Sequence, residues 1–231
     1  GKPMVQWVFE QASKAKSISE VIVATDDNRI LEAVNGFGGN AVMTSADHES
    51  GTDRIAEVVR DRECEVVVNV QGDEPLIAPE NIDRVVRPLL ENAIESTVTL
   101  RILIKSCEEL MDRNITKVVV DNSNSALYFS KAPIPWDRDK WGGDSIEYSS
   151  FDPLKSFWYK HIGLYAYRKK FLMGFGSLPD SGLEKIEKLE QLRILEGGFK
   201  IKVVETNIDS IGVDCEADLA IIEKHLAAVL P

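Results

Sequence analysis

Two aspartates, each following an apolar run at a glycine, have the right surroundings to hold a divalent cation. Asp73 stands in Gln71-Gly72-Asp73-Glu74-Pro75, directly after a stretch containing Val66, Val67, Val68 and Val70. Asp214 stands in Ile211-Gly212-Val213-Asp214. Glycine beside a carboxylate lets a ligand come close to the backbone. Magnesium takes one or two protein carboxylates and completes its octahedron with phosphate oxygens and water. Such a pair suits a nucleoside triphosphate. Each aspartate also has a plainer reading: a polar turn at Asp73, and a helix N-cap at Asp214.

Other residues could contact what the cation holds. Ser50-Gly51-Thr52-Asp53-Arg54 lies at a loop-to-helix junction, where free N–H groups and hydroxyls can receive a phosphate or a base edge. The same segment could simply cap its helix. In Lys160-His161-Ile162-Gly163-Leu164-Tyr165-Ala166-Tyr167, a strand would place His161, Gly163, Tyr165 and Tyr167 on one face. A histidine and tyrosines so placed could bind a polyhydroxylated ligand, or pack as a satisfied core. Glu190-Gln191 and Arg138, the latter between Asp137 and Asp139, read by themselves as solvated positions.

The elements that must position these residues alternate between short β-branched runs and longer amphipathic stretches. Residues 4–15, 29–34, 51–60, 183–196 and 216–229 have helical spacing. Residues 21–25, 41–43, 65–70, 97–103, 117–121, 125–130, 160–167 and 200–205 read as strands. Residues 131–156, rich in Pro, Gly, Asp and Trp, read as a long loop in a smaller lobe. The alternation predicts βαβ units and a parallel sheet with helices on both faces. Ligands in such sheets bind beyond the carboxyl ends of the strands, which is where Gln71-Gly72-Asp73 falls.

Composition narrows the partners. With 27 Lys+Arg against 38 Asp+Glu, the 231-residue chain has a net charge of -11. That balance disfavours nucleic acid, and an anionic substrate would need a metal ion or local cations. No apolar run is long enough for a membrane helix, and no signal peptide opens the sequence; a soluble cytoplasmic protein is expected. Cys64, Cys107 and Cys215 are scattered and odd in number, so neither a disulfide framework nor a zinc site is expected.

Nine segments in order resemble the CMP-KDO synthetases, cytidylyltransferases that activate the acidic eight-carbon sugar 3-deoxy-manno-octulosonate (KDO). They are Val23-Ala24-Thr25-Asp26-Asp27, Met43-Thr44-Ser45, Ser50 to Arg54, Val68 to Pro75, Ala126 to Ser130, Ile134-Pro135-Trp136-Asp137-Arg138, His161-Ile162-Gly163, Leu189 to Arg193, and Gly212-Val213-Asp214. The resemblance implies that CTP and KDO give CMP-KDO and pyrophosphate with magnesium, for lipopolysaccharide synthesis. It implies an α/β, three-layer, Rossmann-like nucleotidyltransferase fold with a mixed, mostly parallel sheet. It implies one domain over 1–231, with a smaller sugar-binding and dimerisation lobe at 124–180 and a homodimer as the assembly. By position, Asp73 and Asp214 look like the magnesium ligands. Ser50, Gly51, Thr52, Arg54 and Gln71 look like CTP contacts. Arg138, His161, Tyr165, Glu190 and Gln191 look like the sugar pocket, with Lys131 beside them.

The sequence departs from the family pattern at its start. The usual first strand and the Pro-Ala-Arg-x-x-Ser-x-Arg-x-x-Gly-Lys-Pro loop, which grips the triphosphate, have no counterpart. Gly1-Lys2-Pro3-Met4 matches the second Gly-Lys-Pro of the pattern instead. For the chain as it stands, weak CTP binding and little turnover are expected. Lys131 replaces an arginine, keeping the charge but losing the bidentate fork. A cytidylyltransferase for 8-amino-KDO or sialic acid, a glycosyltransferase using Asp137-Arg138-Asp139, and a non-catalytic nucleotide-binding homologue are the competing readings.

Overall fold

A run of valines broken by one asparagine builds the strand that carries the Gln71 turn. Val66–Asn69 (β3) alternates its side chains between two apolar clusters, Val66 and Val68 on one side and Val67 on the other. A strand buried on both faces needs apolar residues at successive positions. The computed structural model describes residues 1–48, 50–141, 157–210, 212–213 and 222.

The first elements are Met4–Ala12 (α1), Val23–Thr25 (β1), Asn28–Gly36 (α2), Ala41–Met43 (β2) and Gly51–Val59 (α3). After β3 come Pro79–Glu91 (α4), Thr97–Leu103 (β4), Cys107–Met111 (α5), Lys117–Val120 (β5), Ala126–Ser130 (β6) and Arg138–Trp141 (α6). The last are Tyr159–Arg168 (β7), Lys169–Leu172 (α7), Gly182–Glu187 (α8), Gln191–Glu196 (α9) and Lys202–Glu205 (β8). The expected closing helix at 216–229 and the stretch 142–156 of the expected loop lie outside the described residues, apart from Ile222.

β1 and β2 pair in parallel. The larger sheet has six strands in the order β6-β5-β7-β4-β8, with β3 also paired to β7. β7 runs antiparallel to β3, β4 and β5, whereas β4 and β8 are parallel. β3, β4, β5 and β8 therefore share a direction that β7 and β6 oppose. The sheet is mixed, with most of its strands running one way.

Its faces are covered separately, which makes three layers. Val98, Leu100 and Ile102 of β4 and Ile162, Leu164 and Ala166 of β7 pack against α1 and α4, through Val8, Ile82, Val85 and Leu89. On the other face Tyr165 and Tyr167 of β7, Val67 and Val203 meet Leu172, Phe175, Leu192 and Ile194. Full burial of each such side chain is worth about 1.5–3 kcal/mol, so the two clusters clamp β7 between them.

The expected loop over 131–156 contains the short helix α6, and one expected helix is broken. The single helix at 183–196 is two, α8 and α9. Lys188, the C-cap of α8, adopts a left-handed backbone with φ 57°. The break buries Leu189 and Gln191 and turns Glu190 inward. A straight helix would keep this charged stretch on one solvated face.

Candidate active site

Two adjoining cavities open where β3 ends and β7 begins. The first, about 210 Å3, is lined by Thr52 and Asn69, by Gln71, by His161, Tyr165 and Tyr167 on one face of β7, and by Glu190 and Gln191. The second, about 320 Å3, is lined by Asp73, Glu74, Asn114, Lys160, Asp209, Ser210 and Gly212. Gln71, Thr116, His161 and Gly163 border both.

The wall of the first cavity is set by period-two alternation along β7. His161 and Tyr165 lie 5.3 Å apart, Tyr165 stacks on Tyr167 at 5.7 Å, and Phe129 meets the His161 ring edge-on at 5.0 Å. His161 donates its backbone N–H to the Thr116 carbonyl, and its Nε2 lies 2.9 Å from the Thr99 hydroxyl. Burial pushes its pKa down to about 3, and the Lys131 ammonium adds to that, so the ring is neutral at physiological pH. The Tyr165 hydroxyl is buried and makes no hydrogen bond of normal geometry among the described residues, although the Thr99 hydroxyl lies near enough to oppose the upward shift that burial gives it.

Glu190 enters the cavity from the α8–α9 break. Burial raises its carboxyl above the usual range, the Thr52 hydroxyl opposes this, and the Asp53 charge adds to it. The wall thus combines amides, hydroxyls, a neutral imidazole and one carboxyl held toward its protonated form. Many uncharged donors and acceptors facing one volume suit a polyhydroxylated ligand.

The second cavity is acidic. Burial raises the Glu74 carboxyl, the Ser210 hydroxyl opposes this by donating 2.5 Å to Oε2, and the Asp73 and Asp209 charges raise it further. Burial disfavours charge on Lys160, but Asp209 at 2.7 Å and Glu109 at 2.9 Å outweigh it and hold the ammonium charged. Chain from far along the sequence reaches this turn. The Val213 N–H donates 2.9 Å to the Asp73 carbonyl. Fully buried Asn81 of α4 anchors the approach, giving its Nδ2 to the Ile208 carbonyl at 3.0 Å and accepting from Thr206 Oγ1 at 2.7 Å. Asp214 lies outside the described residues. Among the described residues no group of three or more His, Cys, Asp or Glu could hold a metal ion. The carboxylate oxygens of Asp73 and Glu74 on this cavity are the ligand type of a hard cation that takes one or two carboxylates.

The structure therefore brings Thr52, Gln71, His161, Tyr165, Glu190 and Gln191 onto one cavity, with Asp73 on its neighbour. Gly51 lies beside them: a Cβ there would sit 4.0 Å from the Asn69 amide. Ser50 caps α3, accepting from the Asp53 N–H. Arg54 spends its guanidinium on Asp26 at 2.9 Å and on the Thr44 hydroxyl at 2.6 Å, tying the ends of β1 and β2 to α3. Neither Ser50 nor Arg54 lines either of these two cavities, nor does exposed Arg138. Lys131 gives its ammonium to the Asn114 carbonyl at 2.7 Å, at the rim of the second cavity. Asn69 and Thr116 escaped sequence reasoning. Asn69 carried a signal, as the one polar residue in a valine run; Thr116 carried none.

A cytidylyltransferase family model matches residues 1–201. The chain belongs to the cytidylyltransferase family. It is 52% identical over 225 residues to the 3-deoxy-manno-octulosonate cytidylyltransferase of Geobacter sulfurreducens, covering 97% of this chain and 89% of that one. It is 48% identical to the enzyme of the same name from Thermodesulfovibrio yellowstonii, with 97% and 88% covered. Among solved structures, a CMP:2-keto-3-deoxy-manno-octonic acid synthetase complexed with CTP superposes with a TM-score of 0.88 at 38% identity, covering 100% of this chain and 90% of that one. The 4-diphosphocytidyl-2C-methyl-D-erythritol synthase of Anaerococcus prevotii, 15% identical with a TM-score of 0.60, shares the fold alone. No helix of this cytidylyltransferase, among the described residues, is long and apolar enough to cross a membrane.

Proposed function

We propose that this cytidylyltransferase joins CTP to KDO, forming CMP-KDO and pyrophosphate. The observation that carries the reading is the convergence of Gln71, His161, Tyr165, Glu190 and Gln191 on one cavity beside the acidic turn at Asp73. Relatives about half identical over nearly the whole chain bear the same substrate in their names.

In the reaction, the anomeric hydroxyl oxygen of the sugar bonds to the α-phosphorus of CTP. The bond from that phosphorus to the bridging oxygen breaks, pyrophosphate leaves with the electron pair, and the hydroxyl proton passes to solvent. The first cavity orients the sugar through neutral hydrogen-bonding groups. Gln71, which borders both cavities, is placed to span sugar and nucleotide. Orientation of this kind can supply several kcal/mol of the barrier. Asp73 and Asp214 are the residues that would hold magnesium, whose charge would offset that of the triphosphate. Ser50, Gly51, Thr52 and Arg54 belong to the nucleotide side of the proposal, and Arg138 to the sugar side.

The same reading includes a cytoplasmic homodimer whose product enters lipopolysaccharide synthesis. Exposed Leu127, Trp136 and Phe157 support an interface on the smaller lobe at 124–180.

The test is pyrophosphate release with magnesium, CTP and KDO, with UTP and 8-amino-KDO as controls. It is run on this chain and on the chain preceded by the family's opening strand and phosphate loop. Release from either form with CTP and KDO supports the proposal. No release from both would sink it, and preference for 8-amino-KDO would reassign the sugar.

A further inference from the structure

Thr99 lies on β4 with no exposed surface, at the point where the ladder with β7 slips. It pairs with Tyr165, while the next residue, Leu100, pairs with Ile162. Gly163 and Leu164 are thus the extra residues of a bulge, and a bulge takes backbone groups out of the regular ladder. The Thr99 hydroxyl meets two of the carbonyls concerned, Leu164 O at 2.9 Å and Ile162 O at 3.2 Å. It also lies 2.9 Å from His161 Nε2.

A threonine hydroxyl has one proton to give, and carbonyl oxygens only accept. With two carbonyls facing Oγ1, the proton goes to a carbonyl. His161 Nε2 can then approach at this distance only as the donor. A neutral imidazole has one N–H, so Nδ1 is left with a lone pair. Among the described residues no group hydrogen-bonds Nδ1. The Phe129 and Tyr165 rings at 5.0 and 5.3 Å leave little room for the imidazole to turn over.

We propose that Thr99 is a positioning residue for the sugar site: its hydroxyl fixes His161 as the Nε2–H tautomer and leaves Nδ1 to accept from a substrate hydroxyl. The role rests on the KDO reading of the cavity. The low pKa of His161 is consistent with it, because a charged ring would offer two donors and no acceptor.

The experiment has two readouts. Long-range 1H–15N NMR at pH 7 reports the tautomer of each histidine, with His161 distinguished from His48 and His225 by the spectrum of a His161→Gln sample. The expected pattern for His161 is a single Nε2–H tautomer. An Nδ1–H ring or an imidazolium overturns the proposal without any change at Thr99. In Thr99→Val the tautomers are expected to mix, and KM for KDO to rise about tenfold, the size expected for one lost oriented hydrogen bond, with KM for CTP unchanged. Thr99→Ser, which keeps the hydroxyl, is expected to restore both. A KM rise that serine does not restore, or one with an unaltered tautomer, makes Thr99 a packing residue and overturns the proposal. The kinetic arm uses whichever of the two forms turns over KDO; if neither does, it is the functional reading that fails, and the positioning role fails with it.

Discussion

The backbone N–H of Val213 donates to the carbonyl of Asp73 at 2.9 Å. This bond draws the Gly212-Val213 segment onto the turn that follows β3, so two segments far apart in sequence share one end of the sheet. A cation site assembled from both follows from the proposed function. Asp73→Asn should lower kcat at least a hundredfold, on the scale of other losses of transition-state charge stabilisation, while leaving the melting temperature nearly unchanged. EDTA should abolish turnover and excess magnesium restore it. Undiminished activity in EDTA would remove the metal from the account.

Asn81 holds the approach to Gly212 from inside α4. Its side chain serves both Thr206 and Ile208 and is fully buried. Asn81→Ala leaves those partners unsatisfied, at roughly 1–3 kcal/mol for each buried group. Urea unfolding should show a loss of about 2–4 kcal/mol on that scale. A loss below the error of the fit would mean that water replaces the amide.

Glu74 gives a pH signature. Burial raises its pKa in the folded protein, so between the unfolded value and the folded one the native state binds more protons than the unfolded chain. Its contribution to stability is therefore fully present below the unfolded pKa and is lost as pH rises through the folded pKa. Glu74→Gln removes the charge and keeps an acceptor for Ser210. Thermal melts should show the variant gaining on the parent at pH 7, with the gain shrinking toward pH 4. A gain independent of pH would contradict this origin.

Glu190 and Gln191 separate sugar binding from nucleotide binding. Glu190→Ala and Gln191→Ala should each raise KM for KDO about 10- to 100-fold, as expected for losing a polar contact to a substrate hydroxyl, and change KM for CTP less than twofold. Equal effects on both substrates would place the sugar elsewhere.

Much of this was legible because the local rules agree with one another. The valine run of β3, the turn at Gly72 and Pro75, and the alternation along β7 each point to one structure, and the face shared by His161, Gly163, Tyr165 and Tyr167 is realised as a cavity wall. The break at Lys188 was not legible. Its left-handed backbone opposes local helical propensity, and what it gains, the burial of Leu189 and Gln191, depends on contacts distant in sequence. The slip at Thr99 was equally hidden, since nothing in the local sequence fixes which β7 residues meet β4. Arg54 is a third case. Its charge beside a helix start suggested a phosphate contact, which remains part of the proposal, but nothing local announced that Asp26 and Thr44 would also bind its guanidinium.

The most direct test of the central claim is a 31P NMR time course with CTP, KDO and magnesium, on the same two forms of the chain as in the release assay. The account predicts loss of the three CTP resonances together, with a phosphodiester signal and pyrophosphate growing in equal amounts only when CTP and KDO are both present. No phosphodiester from either form, or equal reaction with UTP, would contradict it.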